Sequence, residues 1–197
     1  MNFLKTLFAC AAIMFGVAMC QPVAADEIEA IYQQDIDKQA TAAWIQESTN
    51  NKISPSIAKR ITNSVVHHAQ RTGIEVKTIL GIIMKESTFN AKAKNGYGAV
   101  GLMQVVPRYH KDKIAGRDIT RIETNIEVGT TILKNCLDAS GNKTRALACY
   151  SGNKVSKVGK YKSKVNAFGK DYQNFRKEFV STSLAANTKS SSTNRKS

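Results

Sequence analysis

The strongest constraint on this chain is the stretch at residues 79–107, ILGIIMKESTFNAKAKNGYGAVGLMQVVP. Ile79, Ile82, Ile83 and Glu86 fall at i, i+3, i+4 and i+7, the spacing that sets four side chains on one face of a helix. Three of them are branched apolar residues and the fourth is a carboxylic acid. An ionised carboxylate is costly to bury, so a glutamate on an apolar stripe is expected to keep its proton closer to neutral pH, as a general acid must. On position alone a plainer reading stands beside this one: a glutamate that ends the helix and turns to water. Gly96, Gly98 and Gly101 then crowd one short connection. Such a loop lets backbone come close to a ligand beside the acid.

The residue order makes the reading specific. Glu86-Ser87, Phe89-Asn90, Gly98-Ala99, Gly101-Leu102-Met103-Gln104 and Pro107 resemble, in order and spacing, the signature of the soluble lytic transglycosylase catalytic domain. Ala91 stands where that family usually has proline, and Asn95 near its usual serine. Asn125-Ile126 with Gly129 resembles the family's next helix, and Ala148-Cys149-Tyr150 its alanine-tyrosine-asparagine motif, with Ser151 in the asparagine's place. Glycine inside a helix costs about 1 kcal/mol relative to alanine, and a close helix crossing is the expected reason for Gly129. The resemblance covers about residues 54–168. It implies a mostly α, lysozyme-like fold in a single globular domain, related to goose-type lysozymes.

Its functional implications are equally definite. Glu86 would protonate the oxygen joining N-acetylmuramic acid to N-acetylglucosamine in peptidoglycan glycan strands. The same carboxylate would then take the proton of the muramic C6 hydroxyl as a 1,6-anhydro ring closes. Ser87, Gly98 and Gln104 would bind the sugar or steady the loop, and Met103 and Tyr150 would offer it apolar surface. No cofactor is implied, and the protein is expected to act as a monomer. Glycoside cleavage by water usually takes two carboxylates. Asp112 and Asp118 are the nearest downstream candidates for a second, and either one across the groove would favour a lysozyme-type hydrolase. A catalytically inactive peptidoglycan-binding module is the alternative of a different class.

The rest of the chain supplies context. The sequence has 197 residues, enough for one domain with flanking segments. Lys5, the apolar run at residues 7–18 and the small residues before a cleavage after Ala25 predict a signal peptide over 1–25 and export to the periplasm or cell envelope. Exported enzymes of this type serve wall turnover, a secretion or conjugation apparatus that spans the envelope, or a phage, and such an apparatus is a candidate partner. Cys136 and Cys149 remain after cleavage, in helical patterns on either side of Ser140-Gly141-Asn142. In an oxidising compartment they read as a candidate disulfide, the alternative being two buried thiols. No Cys/His spacing suits a metal.

Residues 26–53 read as an N-terminal helical or linker segment, either a packed helix or a tether, with Ile28, Ile31 and Tyr32 as its short apolar face. Ser54-Pro55 starts the next helix and Thr72-Gly73 ends it. His67 and His68 are adjacent, point to different faces and read as surface histidines. From Asn153 the chain turns basic, in keeping with a formal net charge of +14. Phe168, Tyr172, Phe175 and Phe179 recur at helical spacing, so a stripe packed on the domain, with lysines outward, is favoured over nucleic-acid binding. The catalytic domain is expected to span 54–180 and the basic tail, 181–197, to be disordered.

Overall fold

The computed structural model describes residues 24–193. The predicted leader falls almost wholly outside them, as do residues 194–197. The described chain forms seven α-helices and no strand beyond isolated bridges: α1 (Ala25–Ser48), α2 (Pro55–Thr72), α3 (Val76–Ser87), α4 (Lys111–Ile114), α5 (Ile122–Ser140), α6 (Lys143–Tyr150) and α7 (Gly159–Thr193). Short 3-10 turns at Pro107–Tyr109 and Val155–Lys157 complete it. The mostly helical, lysozyme-like single domain expected from the sequence is the fold observed.

The helix ends follow local chemistry. The Ser54 hydroxyl accepts from the Ile57 N–H at 3.4 Å beneath Pro55, and Gly73 closes α2 at φ 70°. Asn142 caps α6, its Oδ1 accepting from the N–H groups of Thr144 and Arg145 at 2.9 and 3.1 Å.

Helix α3 lies at the centre. Ile79, Leu80, Ile82 and Ile83 are fully buried, and α3 packs against α7 and α2. The crossing of α3 and α7 is close because Gly81 has no side chain: a Cβ there would lie 2.3 Å from the Val165 carbonyl oxygen. Gly129 has a different explanation from the expected helix crossing. Its missing side chain makes room for Met103, whose Sδ would meet a Cβ at 2.6 Å.

Packing decides or corrects other expectations. Of the two readings open for the N-terminal segment, the packed helix is the one formed. Ile36, Ala40, Trp44 and Ile45 of α1 are buried in the common core, whereas Ile31 of the expected apolar face is exposed. The Trp44 ring meets Phe89 edge-on at 5.8 Å and Tyr172 at 5.4 Å, and its indole N–H donates to Asp171 at 2.9 Å. Helix α1 thereby supports the residue three places after Glu86. His68 is buried, because it continues the Ile61–Val65 face of α2, while His67 is exposed. The tail expected to be disordered continues α7 to Thr193. Extending a formed helix costs far less than starting one, and Leu184, Ala185 and Ala186 are good helix formers.

The aromatic stripe of α7 forms as predicted. Tyr161, Val165 and Tyr172 are buried, Phe168, Phe175 and Phe179 are partly buried, and Lys160, Lys164, Lys170 and Lys177 face solvent. Cys136 and Cys149 form a disulfide that ties α5 to α6, with Cα atoms 5.9 Å apart.

Candidate active site

Glu86 stands in the last turn of α3, partly buried, one turn beyond the fully buried Ile82 and Ile83. The chain leaves the helix through two non-glycine residues in the left-handed region, Thr88 at φ 50° and Phe89 at φ 60°. Such backbone costs roughly 1–2 kcal/mol per residue. Complete burial of Phe89 under Trp44, and the hydrogen bonds Thr88 N–H to Met84 O and Asn90 N–H to Ser87 O at 3.2 and 3.0 Å, hold it in place.

The glycine-containing loop folds back over this exit. Ser87 donates to the Leu102 carbonyl at 2.8 Å and to Ile83 O at 3.1 Å, so its hydroxyl steadies the loop. Buried Asn125 of α5 is the loop's main fastening. Its Oδ1 accepts from Met103 N–H at 2.8 Å, and its Nδ2 donates to Val100 O at 2.9 Å and Ile119 O at 3.0 Å. Gln104, at φ 48°, spends its side-chain amide on Ala93 O and Gly101 O at 3.2 and 3.0 Å. Gly98 closes a turn onto Asn95 O. Met103 is 1% exposed and packs on Gly129, so it supports the loop from below.

These elements enclose a groove of about 390 Å³. Its lining includes Glu86, Gln104, His110, Tyr150 and the rings of Tyr97 and Tyr109. Glu86 is the one carboxylic acid among the lining residues. Asp112 pairs with Lys113 at 2.7 Å and Asp118 accepts from the Thr120 hydroxyl, both outside the groove and exposed. Those partners hold each carboxyl below its ordinary pKa. Neither faces Glu86 across the groove.

Two phenols adjoin the acid. The Tyr150 hydroxyl donates to Met103 O at 2.7 Å, tying α6 to the loop. Burial first, and the Glu86 charge second, keep its pKa well above the ordinary phenol value. Tyr161 of α7 is the residue that the sequence reading passed over. It is buried, and its hydroxyl has no hydrogen-bond partner of full geometry. It lies near enough to Glu86 that this carboxylate adds to burial in raising the phenol's pKa.

The model of the family described as the transglycosylase SLT domain matches residues 63–174, more than half of the chain. The chain belongs to that family. Among curated relatives, this SLT-domain chain is 47% identical over 62 residues to the membrane-bound lytic murein transglycosylase C of Glaesserella parasuis serovar 5 (strain SH0165). That alignment covers 32% of this chain and 16% of the relative. Proteins of the same name from Actinobacillus pleuropneumoniae serotype 5b (strain L20) and Haemophilus influenzae (strain ATCC 51907 / DSM 11121 / KW20 / Rd) are 55% and 51% identical over 51 residues, 26% of this chain and 13% of each relative. The SLT-domain chain thus aligns with a small part of each relative's length. No solved structure matches it significantly. No described helix is long and apolar enough to cross a membrane.

The part of the alanine-tyrosine motif that departs from the family is structurally complete. Ser151, in the asparagine's place, bonds back to Leu147 O at 2.7 Å and accepts from Asn153 Nδ2 at 2.8 Å, which closes the end of α6 below Tyr150. His110 is a groove residue whose pKa is lowered by burial and then by Lys113. In the sequence it is only one more polar residue in a connection. A second cleft, of about 360 Å³, opens between α1, α2, α3 and α7. Within it Asp37 pairs with Arg176 at 2.6 Å and Glu75 with Lys77 at 2.7 Å.

Proposed function

We propose that the protein is an exported peptidoglycan lytic transglycosylase in which Glu86 acts first as acid and then as base. The observation that carries this reading is that Glu86 is the one carboxylate lining the groove, while Asp112 and Asp118 lie outside it. Hydrolysis through a pair of carboxylates needs the second group on the far side of the bond. With one, the substrate must supply the other functions.

In this mechanism Glu86 gives its proton to the oxygen between N-acetylmuramic acid and N-acetylglucosamine as that bond to C1 breaks. The substrate's own N-acetyl group stabilises the positive C1 centre. The Glu86 carboxylate then takes the proton of the C6 hydroxyl while that oxygen bonds to C1. The product is a 1,6-anhydro ring, Glu86 regains its proton, and no water is consumed.

Tyr161 is placed to steady the carboxylate between the two proton transfers. Burial and the Glu86 charge both oppose its ionisation, so it remains an O–H donor, and no other acceptor claims that hydrogen. Tyr150 acts one step away, holding the Met103 carbonyl and hence the loop opposite the acid. The formed disulfide supports export, since such bonds persist in oxidising compartments.

Mass spectrometry of the soluble fragments released from purified peptidoglycan tests the reading. Fragments ending in 1,6-anhydromuramic acid are expected. Fragments heavier by one water, with a reducing muramic end, would assign the protein to the lysozymes instead.

A further inference from the structure

The acid and its supporting tyrosines leave two aromatic groove residues without a role. Tyr97 is 79% exposed and Tyr109 67% exposed, and both line the groove that contains Glu86. Single apolar side chains on a surface need no explanation, but two large exposed rings lining one groove point to a ligand.

Both rings are held by rigid backbone. Tyr97 is the third residue of a turn in which Gly98 N–H donates to Asn95 O at 3.0 Å. Asn95 Oδ1 accepts from the N–H groups of Tyr97 and Ala99 at 2.9 and 3.1 Å, and Asn95 N–H donates to Ala99 O at 3.2 Å. Tyr109 ends the 3-10 turn Pro107–Tyr109, its N–H donating to Val106 O at 3.1 Å. The Arg108 guanidinium lies 4.7 Å from its ring centroid and fixes one face. Backbone fixed in advance lowers the entropy lost on binding, which is how rigid aromatic anchors gain affinity.

We propose that Tyr97 and Tyr109 are stacking platforms for pyranose rings of the glycan strand, holding sugars that neighbour the bond broken at Glu86. This rests on the glycan-cleaving reading above. The carbon–hydrogen face of a pyranose is apolar and packs on an aromatic face, while its equatorial hydroxyls stay in water. Contacts remote from the reacting bond hold the strand in register over Glu86, so long strands are favoured over short fragments.

The test is co-sedimentation with insoluble purified peptidoglycan, using the full chain with Glu86→Gln so that nothing is cleaved. Each of Tyr97→Ala and Tyr109→Ala is expected to weaken binding roughly three- to tenfold, and the pair together by about tenfold or more. The double phenylalanine variant should bind like the parent, because the ring carries the contact. Both residues are exposed, so an unchanged melting temperature is expected throughout. Parent-like binding by the double alanine variant would overturn the platforms and leave the glycan reading standing. Equal loss in the phenylalanine and alanine variants would overturn stacking in favour of the hydroxyls. Failure of the Glu86→Gln parent itself to sediment would bring down the glycan reading, and the platforms with it.

Discussion

Two of the clefts among the described residues, of about 390 and 360 Å³, are nearly equal in size and built on opposite principles. In the cleft between α1, α2, α3 and α7, charge meets charge: Asp37 with Arg176, Glu75 with Lys77 and Lys143. The two lysines hold the Glu75 carboxyl down at about 2. Hydroxyl meets hydroxyl as well, Thr41 with Tyr172 at 2.9 Å. Pairs like these fasten helices, although Lys38 also lines the cleft and the buried Oδ1 of Asp37 has no hydrogen-bond partner. In the other groove Glu86 has no cation paired with it among the described residues, and its neighbours are phenols. Volume does not distinguish the two; the pairing of their charges does.

Breaking this contrast should give effects of very different size. Glu86→Gln should lower turnover of peptidoglycan by at least about a hundredfold and up to ten-thousandfold, the range for loss of a general acid. Its melting temperature should match the wild type's. Retained activity in that variant would remove Glu86 from the chemistry.

Tyr161→Phe is the next largest. It should reduce kcat by roughly ten- to a hundredfold, with KM little changed. Stability should change little, since the buried hydroxyl that the variant deletes makes no hydrogen bond of full geometry. A loss of stability with unchanged kcat would make Tyr161 a packing residue only.

Asp37→Ala, in the paired cleft, should leave turnover at the wild-type level. Both members of its ion pair are more than a third exposed or close to it, so the stability lost should be about 1 kcal/mol or less by denaturant titration. A fall in activity would show that the second cleft takes part in the reaction.

The smallest effect concerns acid sensitivity of the helical frame. Burial first, and His67 second, lower the His68 pKa from its ordinary 6.5. The folded chain therefore holds His68 neutral while the unfolded chain takes up a proton below about pH 6.5. The stability involved is intact above that pH and is lost as pH falls below it. Melting temperatures between pH 7.5 and 5 should fall less steeply in His68→Leu than in the wild type, and identical slopes would contradict the assignment.

How much of this was legible in the sequence depends on the range of the interaction. Helix α3 and the position of Glu86 could be read because an apolar stripe at i, i+3, i+4 reports one helix face directly. The ends of α2 were legible for a similar reason, since Ser54, Pro55 and Gly73 act on their own backbone. The stripe of α7 was legible too. What that stripe touches was not. Tyr161 is separated by most of the domain from Glu86 in sequence, and by local pattern it is one more aromatic residue in a row. The burial of His68 could have been found from its spacing to Ile61 and Val65, which continues the apolar face of α2. Trp44 was a weaker clue to the packing of α1, as a lone tryptophan in a segment otherwise polar enough to read as a tether. Met103 filling the space above Gly129, and Asn125 holding three groups of the loop, are contacts between distant segments that no local pattern encodes.

The central claim is that one carboxylate completes the reaction without water. Running the reaction in water enriched in oxygen-18 tests it most directly. The account predicts muramic-acid ends that carry no heavy oxygen when released, because the C6 oxygen of the substrate closes on C1. Heavy oxygen at C1 of the freshly released ends, together with a reducing sugar, would contradict it and require a second group that activates water.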